Sequence, residues 1–181
     1  MKGIVFREFL EMVETKFGYS VVDEIIEKSH INSKGAYTSV GTYPHEEIFK
    51  LVKQLSLILN VEEEKLFYTY GEYVFGSFLK AYPHLTINYH DAFDLLSHIE
   101  GTIHVEVLKL YPDAELPTIE IRERTDNSMI MVYRSKRKMS DFAAGLIQAS
   151  LNYFNEKAVV QKETLTEDNS EVIFSITKIN E

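Results

Sequence analysis

The sequence contains no cysteine. That single absence removes disulfides, thiolate zinc sites, iron–sulfur clusters, catalytic thiols and CxxCH haem attachment. Positive charge is also in deficit: 19 Lys and Arg stand against 28 Asp and Glu, a formal net charge of −9. Such a balance argues against a general binder of nucleic acid or of anionic membranes. No long apolar run opens the chain. Residues 1–12 (MKGIVFREFLEM) alternate apolar and charged side chains, unlike a signal peptide or a membrane span, so a cytoplasmic protein is the expectation. The Walker loop, GxGxxG, HExxH and GxSxG are missing as well, and there is no internal repeat or low-complexity tract.

What is present is material for a core. The chain has 181 residues, 45% of them hydrophobic, with 11 Phe and 11 Tyr. A chain of this size forms one domain and buries roughly 70% of its unfolded surface, enough for an internal ligand cavity.

The first two thirds read as helices. Val5, Phe9, Met12, Val13 and Phe17 repeat at helical spacing, and Gly18 suits a C-terminal cap. Ser20 and Asp23 resemble a capping box for a helix to about Lys28. Residues 31–43 read as a loop. Pro44 opens a helix burying Ile48, Leu51, Val52 and Leu55, and Asn60 with Glu63 reads as the N-cap of the next. That helix carries the rows Leu66, Tyr70, Val74, Phe78 and Phe67, Gly71, Phe75, Leu79, and ends at Pro83. One further helix is predicted from about Asp91 to Tyr111, with Phe93, Leu96, Ile103, Val107 and Leu110 on a single stripe. After Pro112 and Pro117 the period changes to two: TIEIRE and SMIMVYRS are strands, 140–155 is a helix, and 158–165 with 171–179 form a hairpin. The fold class is therefore α+β, an N-terminal helical subdomain followed by a helix-covered four-stranded antiparallel sheet in ββαββ order.

Few residues stand out chemically. Most carboxylates lie opposite the apolar stripes, as a solvated face would. Five of the six histidines sit in loops, near helix ends or on polar faces; His104 borders an apolar stripe, with Gly101 one turn before it. Position alone leaves two readings open: a hydrogen-bonded core histidine, or a neutral imidazole offered to a haem iron. Within MVYRSKRK, Tyr133, Ser135 and Arg137 alternate with Arg134 and Lys136, so an extended chain presents phenol, hydroxyl and guanidinium on one side. These three suit capture of a carboxylate or phosphate; the competing reading is a charged strand end that blocks edge pairing. Together the two features point to a buried cofactor with a metal at its centre and carboxylates at its rim.

On these residues the sequence resembles the H-NOX family, the haem–nitric oxide/oxygen-binding domains related to the haem domain of soluble guanylate cyclase. The marks are His104 in TIHVEVLKLYP, then, about thirty residues on, Tyr133, Ser135 and Arg137 in YRSKR, together with the start MKGIVF and Pro117 after the proximal helix. The resemblance covers essentially the whole chain. It implies one domain with a distal helical lobe of about residues 1–60 and a proximal α/β lobe of about 61–181, holding one non-covalent haem b between them. His104 would be the only protein ligand of the iron. Tyr133, Ser135 and Arg137 would anchor the propionates, and Pro117 would press on the ring.

Oxygen-binding members of the family carry a distal Tyr where the register RKMSDF puts Phe142. By similarity the other distal positions are Val5, Phe9, Val74, Phe78 and Leu146, all without a hydrogen-bond donor; whether Tyr70 or Tyr73 reaches in is left open by the sequence. The expectation is a sensor of NO and CO that discriminates against O2 and signals by weakening of the iron–His104 bond. A separate histidine kinase, or a cyclic-di-GMP enzyme, would receive the signal. Two other classes compete: a haem peroxidase or NO dioxygenase, which needs a distal His or Arg, and a haem-free module that binds an acidic metabolite through Tyr133, Ser135 and Arg137.

Overall fold

The computed structural model describes residues 1–179, apart from the side chain of Leu85. Residues 180 and 181, the end of the expected second lobe, lie outside them.

The first helix, α1 (Gly3–Phe17), buries Phe6, Phe9, Met12 and Val13 and stops at Gly18, whose φ of 89° is a conformation that favours glycine. α2 (Tyr19–Ser29) starts directly from Gly18. The capping box expected at Ser20 and Asp23 is not formed, because Ser20 is already inside the first turn and no side chain caps the helix. α3 (Glu46–Leu59) buries the four predicted apolar residues. Asn60 takes the left-handed conformation at the end of α3, with φ 52°, instead of capping the next helix; α4 (Glu63–Ala81) begins after Glu62. α4 stops two residues before Pro83, which starts a 3-10 turn.

The single helix predicted over 91–111 is broken. α5 (Ala92–Ser97) is capped by Asp91, whose carboxylate accepts from the Asp94 N–H at 2.6 Å. A π-helical turn, Ile99–Ile103, follows, and α6 (His104–Leu110) begins after it. The His104 N–H donates to the carbonyl five residues back, at Ile99. This wide turn changes the phase of the stripe. Leu110, expected inside, is 49% exposed, while Val107 and Tyr111 turn inward.

β1 (Thr118–Arg124), β2 (Ser128–Arg134), β3 (Ala158–Thr164) and β4 (Glu171–Lys178) form one antiparallel sheet in the order β1-β2-β4-β3. α7 (Ser140–Tyr153) lies between β2 and β3 in sequence. Its Ala143, Ile147 and Leu151 join Met129, Met131, Tyr133, Val172, Phe174 and Ile176 in one apolar cluster. β2 ends at Arg134, one residue earlier than expected, so Ser135 and Arg137 belong to the turn that follows it.

A second apolar cluster holds α1, α2 and α3 together and reaches past residue 60 to Leu66, Phe67, Tyr70 and Val74 of α4. The two clusters are joined where α4 meets α7, through paired glycines. A Cβ at Gly71 would lie 2.1 Å from the Phe142 carbonyl oxygen, and one at Gly145 would lie 2.0 Å from that of Tyr68. Only backbones without side chains approach so closely. Among the described residues no helix is long and apolar enough to cross a membrane.

Candidate functional site

Between the two clusters lies a cavity of about 490 Å³. Its wall is drawn from α1, α4, α6, α7 and β2, which is why its residues are scattered through the sequence from Met1 to Ser150. Val5, Val74, Phe78, Phe142 and Leu146 line it, as do His104, Pro117, Tyr133, Ser135 and Arg137. Phe9 does not. It is fully buried one layer behind the wall, packed edge-on against Tyr70 with ring centroids 5.3 Å apart.

Tyr70 does line the cavity, whereas Tyr73 is not part of its wall. The Tyr70 ring is completely buried and packs 4.9 Å from Phe142. Its hydroxyl donates to the Val5 carbonyl oxygen at 2.5 Å, so its one proton is committed to the first turn of α1. Burial pushes the phenol well above its ordinary pKa, and the Glu8 charge adds to the effect. Glu8 also lines the cavity, and its Oε2 is buried with no hydrogen-bond partner.

His104 is the first residue of α6, and its side chain is 14% exposed. Its Nδ1 lies 3.4 Å from Oε1 of Glu100, one turn earlier. That same oxygen accepts the Ile119 N–H of β1 at 2.5 Å.

At the rim, the Tyr133 phenol is buried and its pKa is raised by that burial, with hydrogen bonds from the Ser135 side chain and the Met139 backbone acting in the opposite direction. The Ser135 hydroxyl accepts the Arg137 N–H at 3.2 Å. The Arg137 guanidinium is engaged by Glu115, through the carboxylate at 3.0 Å and the main-chain carbonyl. The Glu115 side chain is largely exposed, so a carboxylate reaching the guanidinium fork is already part of this arrangement. Two more cations line the cavity nearby: the Met1 ammonium, whose pKa is lowered by burial and by Arg137, and the Lys2 ammonium, which is bonded to Asp113.

Sequence reasoning missed Met1, Lys2, Glu8, Glu100, Asp113 and Glu115. Only Glu100 left a readable signal, a carboxylate four residues before His104, the spacing that meets on a helix face. The others are brought in by tertiary contacts that spacing does not encode.

This donor set fits haem. Among the described residues no group of three or more His, Asp or Glu side chains is placed to hold a bare metal ion. A metal held by His104 must therefore bring most of its own ligands, as a macrocycle does. The cavity volume falls within the roughly 300–1,000 Å³ of cofactor pockets. Its apolar wall suits a flat hydrophobic ring, and the cations and hydroxyls gathered at Arg137 suit two carboxylates.

A helical lobe, an antiparallel sheet lobe and a histidine-bearing apolar cavity between them define a haem-pocket class of sensor. The haem-NO-binding family model matches residues 2–162. The chain belongs to this family, H-NOX, and haem is the cofactor that membership gives it. It is similar to the Fe(II) unliganded H-NOX protein from K. algicida, at 45% identity and TM-score 0.94, covering all of this chain and 98% of that one. It is also similar to the H-NOX from Shewanella woodyi solved in the Fe(II)CO state with IWP-051 bound, at 39% identity and TM-score 0.82, covering 99% and 95%. An H-NOX protein from S. oneidensis in the Fe(II)NO state matches at 26% identity and TM-score 0.90, covering 99% and 100%. No curated protein matches the chain.

Proposed function

We propose that this H-NOX domain senses NO, and also takes CO, at a ferrous haem b ligated by His104, and that it discriminates against O2. The observation that carries the reading is one imidazole, His104, in the wall of an apolar cavity whose rim carries Tyr133, Ser135 and Arg137. A bound haem would supply a ferrous iron able to take a diatomic gas, with His104 as the protein residue that would hold it.

The protein's own residues divide the remaining tasks. Arg137, Ser135 and Tyr133 receive the two carboxylates, with Arg137 exchanging Glu115 for them. Pro117 and the α7 side chains bound the ring. Val5, Val74, Phe78, Phe142 and Leu146 face the gas and offer it no donor. The Tyr70 proton is held by the Val5 carbonyl, so the phenol that packs on Phe142 is not free to bond a ligand. A gas that gathers negative charge on binding, as O2 does, gains about 1.5–3 kcal/mol from a donor, roughly ten- to a hundredfold in affinity. NO and CO need it far less.

The output rests on α6. His104 is its first residue, so a change in what holds the imidazole would be passed directly to that helix and to its packing against the sheet. A near-complete switch needs one state favoured by about 5 kcal/mol, which loss of a coordinate bond is large enough to supply. The receiver is a separate histidine kinase, with a cyclic-di-GMP enzyme as the other candidate. The domain acts as a switch, without turnover of its own.

Visible spectra of the ferrous protein, taken alone and then with NO, CO and air, test the reading. The expected result is a Soret band that shifts with NO and CO and is unaltered by O2 over the same interval. A purified chain that takes up no haem, or a stable new spectrum in air, overturns it. His104→Gly supplied with free imidazole tests the output: NO should still bind but no longer change partner activity.

A further inference from the structure

The carboxylate beside His104 joins two parts of the site. Glu100 Oε1 lies 3.4 Å from His104 Nδ1 and accepts the Ile119 N–H at 2.5 Å. Ile119 is paired across the sheet with Tyr133, whose phenol stands at the cavity rim. One side chain therefore lies between the imidazole and the strand pair that carries the rim clasp. The geometry exists because of the π-helical turn: Ile99–Ile103 widens the helix between the two residues while leaving Glu100 and His104 one turn apart. A straight helix continuing from α5 would present a different face to β1.

We infer that Glu100 is a positioning residue for the iron ligand, which holds His104 Nδ1–H so that Nε2 faces the cavity and which ties the imidazole to β1 through the Ile119 amide. The inference rests on the haem reading above. A carboxylate accepting the Nδ1 proton fixes the tautomer and makes Nε2 the more basic, stronger donor. In the other direction, movement of the imidazole pulls on a group bonded to the sheet. The sheet lobe thus senses His104 by a path separate from the α6 helix itself. Among the described residues Glu100 is the carboxylate that lies within ion-pair distance of Nδ1, at 3.4 Å, a separation that a small rotation of either side chain closes to a hydrogen bond.

Two variants separate charge from geometry. Glu100→Gln keeps an acceptor for the Ile119 amide and removes the negative charge, whereas Glu100→Ala removes both. The first readout is the iron–histidine stretching mode of the ferrous unliganded protein by resonance Raman. It should shift down in E100Q and further in E100A, because a less basic imidazole binds iron more weakly. The second is hydrogen exchange of the Ile119 amide, read by NMR with and without haem. Its protection should survive in E100Q and fall at least about tenfold in E100A, an amide losing its acceptor. An iron–histidine mode at the wild-type position in both variants overturns the inference while leaving the haem reading intact. Unchanged Ile119 exchange in E100A overturns the link to the sheet. If the wild-type protein takes up no haem, the functional reading fails and the ligand-positioning role fails with it. Should E100A not fold, the stretching mode of E100Q alone decides.

Discussion

Lys2 and Asp113 meet across 111 positions of sequence: the ammonium lies 2.7 and 3.0 Å from the two carboxylate oxygens. The same Nζ reaches the Val40 carbonyl at 2.7 Å and the Thr42 hydroxyl at 3.1 Å, and the Lys2 side chain is only 9% exposed. One buried cation thus fastens the start of α1, the loop before α3 and the turn after α6, on either side of the cavity. Any shift of α6 has to be accommodated at this junction.

Asp113→Asn tests that junction through its pH dependence. Hydrogen bonding from Lys2 holds the Asp113 carboxyl below the ordinary carboxylate range. A depressed native pKa contributes stability that is present above the unfolded value of 3.8 and is lost as pH falls through the lower folded value. The variant should therefore lose less thermal stability than the wild type on going below about pH 4. Asp113 is 66% exposed, so the difference should shrink in high salt. Thermal unfolding midpoints across acid pH check it; parallel curves for the two proteins would refute it.

Gly145→Ala tests the joint between the lobes. The added methyl would lie 2.0 Å from the Tyr68 carbonyl oxygen and 3.1 Å from the Glu72 nitrogen, so α4 and α7 must separate. Overpacking of this kind costs about 1–3 kcal/mol, and more where backbone must move. At this chain length each kcal/mol lowers Tm by about 2–4 °C. Differential scanning calorimetry should show a fall of several degrees. Because Phe142 rides on the same helix, the variant should also disturb the part of the cavity wall that Phe142 forms.

How much of this was legible in the sequence depends on the kind of contact. The helical rows of α3 and α4 and the period-two alternation that opens β1 are local patterns, and the structure follows them. His104 and the Tyr133, Ser135, Arg137 trio were visible because each combines an unusual residue type with a short spacing. The break at Ile99–Ile103 was not, since an apolar stripe reads the same whether the helix runs on or widens by one residue. Asn60 misled because it is as good at closing a helix in the left-handed conformation as at opening one. Phe9 was placed in the wall by similarity to the family, and its packing against the buried Tyr70 ring shows it to be one layer behind. Lys2 and Asp113 carry no signal of each other at all.

Glu8→Leu tests an apparent defect. Glu8 Oε2 is buried without a partner, and the carboxylate has no ion pair among the described residues. Burial raises the pKa values of Tyr70, Tyr73 and Tyr111, and the Glu8 charge adds to the rise in each, so the carboxylate lies among phenols. A desolvated polar atom left unpaired opposes folding. Leucine should leave the stability unchanged or raise it by up to about 1 kcal/mol, in contrast to most substitutions in a cavity wall. Chemical denaturation of the two proteins compares them directly. A clear loss of stability in the variant would mean that the carboxylate has a favourable role in the fold.

Phe142→Tyr puts the discrimination against O2 to its most direct test. The Phe142 ring lines the cavity and packs on Tyr70, whose own hydroxyl is committed to Val5. A hydroxyl at position 142 would add a phenol to the wall that does not share the backbone acceptor holding Tyr70. Donation to a ligand that has gathered negative charge is worth about 1.5–3 kcal/mol, so O2 affinity should rise roughly ten- to a hundredfold while CO affinity changes much less. The measurement is the ferrous spectrum under stepped O2 pressure, for the variant and for Phe142→Tyr combined with Tyr70→Phe. If Tyr70 is a bystander, both should gain O2 binding equally. If neither gains it, the apolar wall is not what excludes O2, and the strength of the His104 bond on the opposite side of the iron becomes the property to measure.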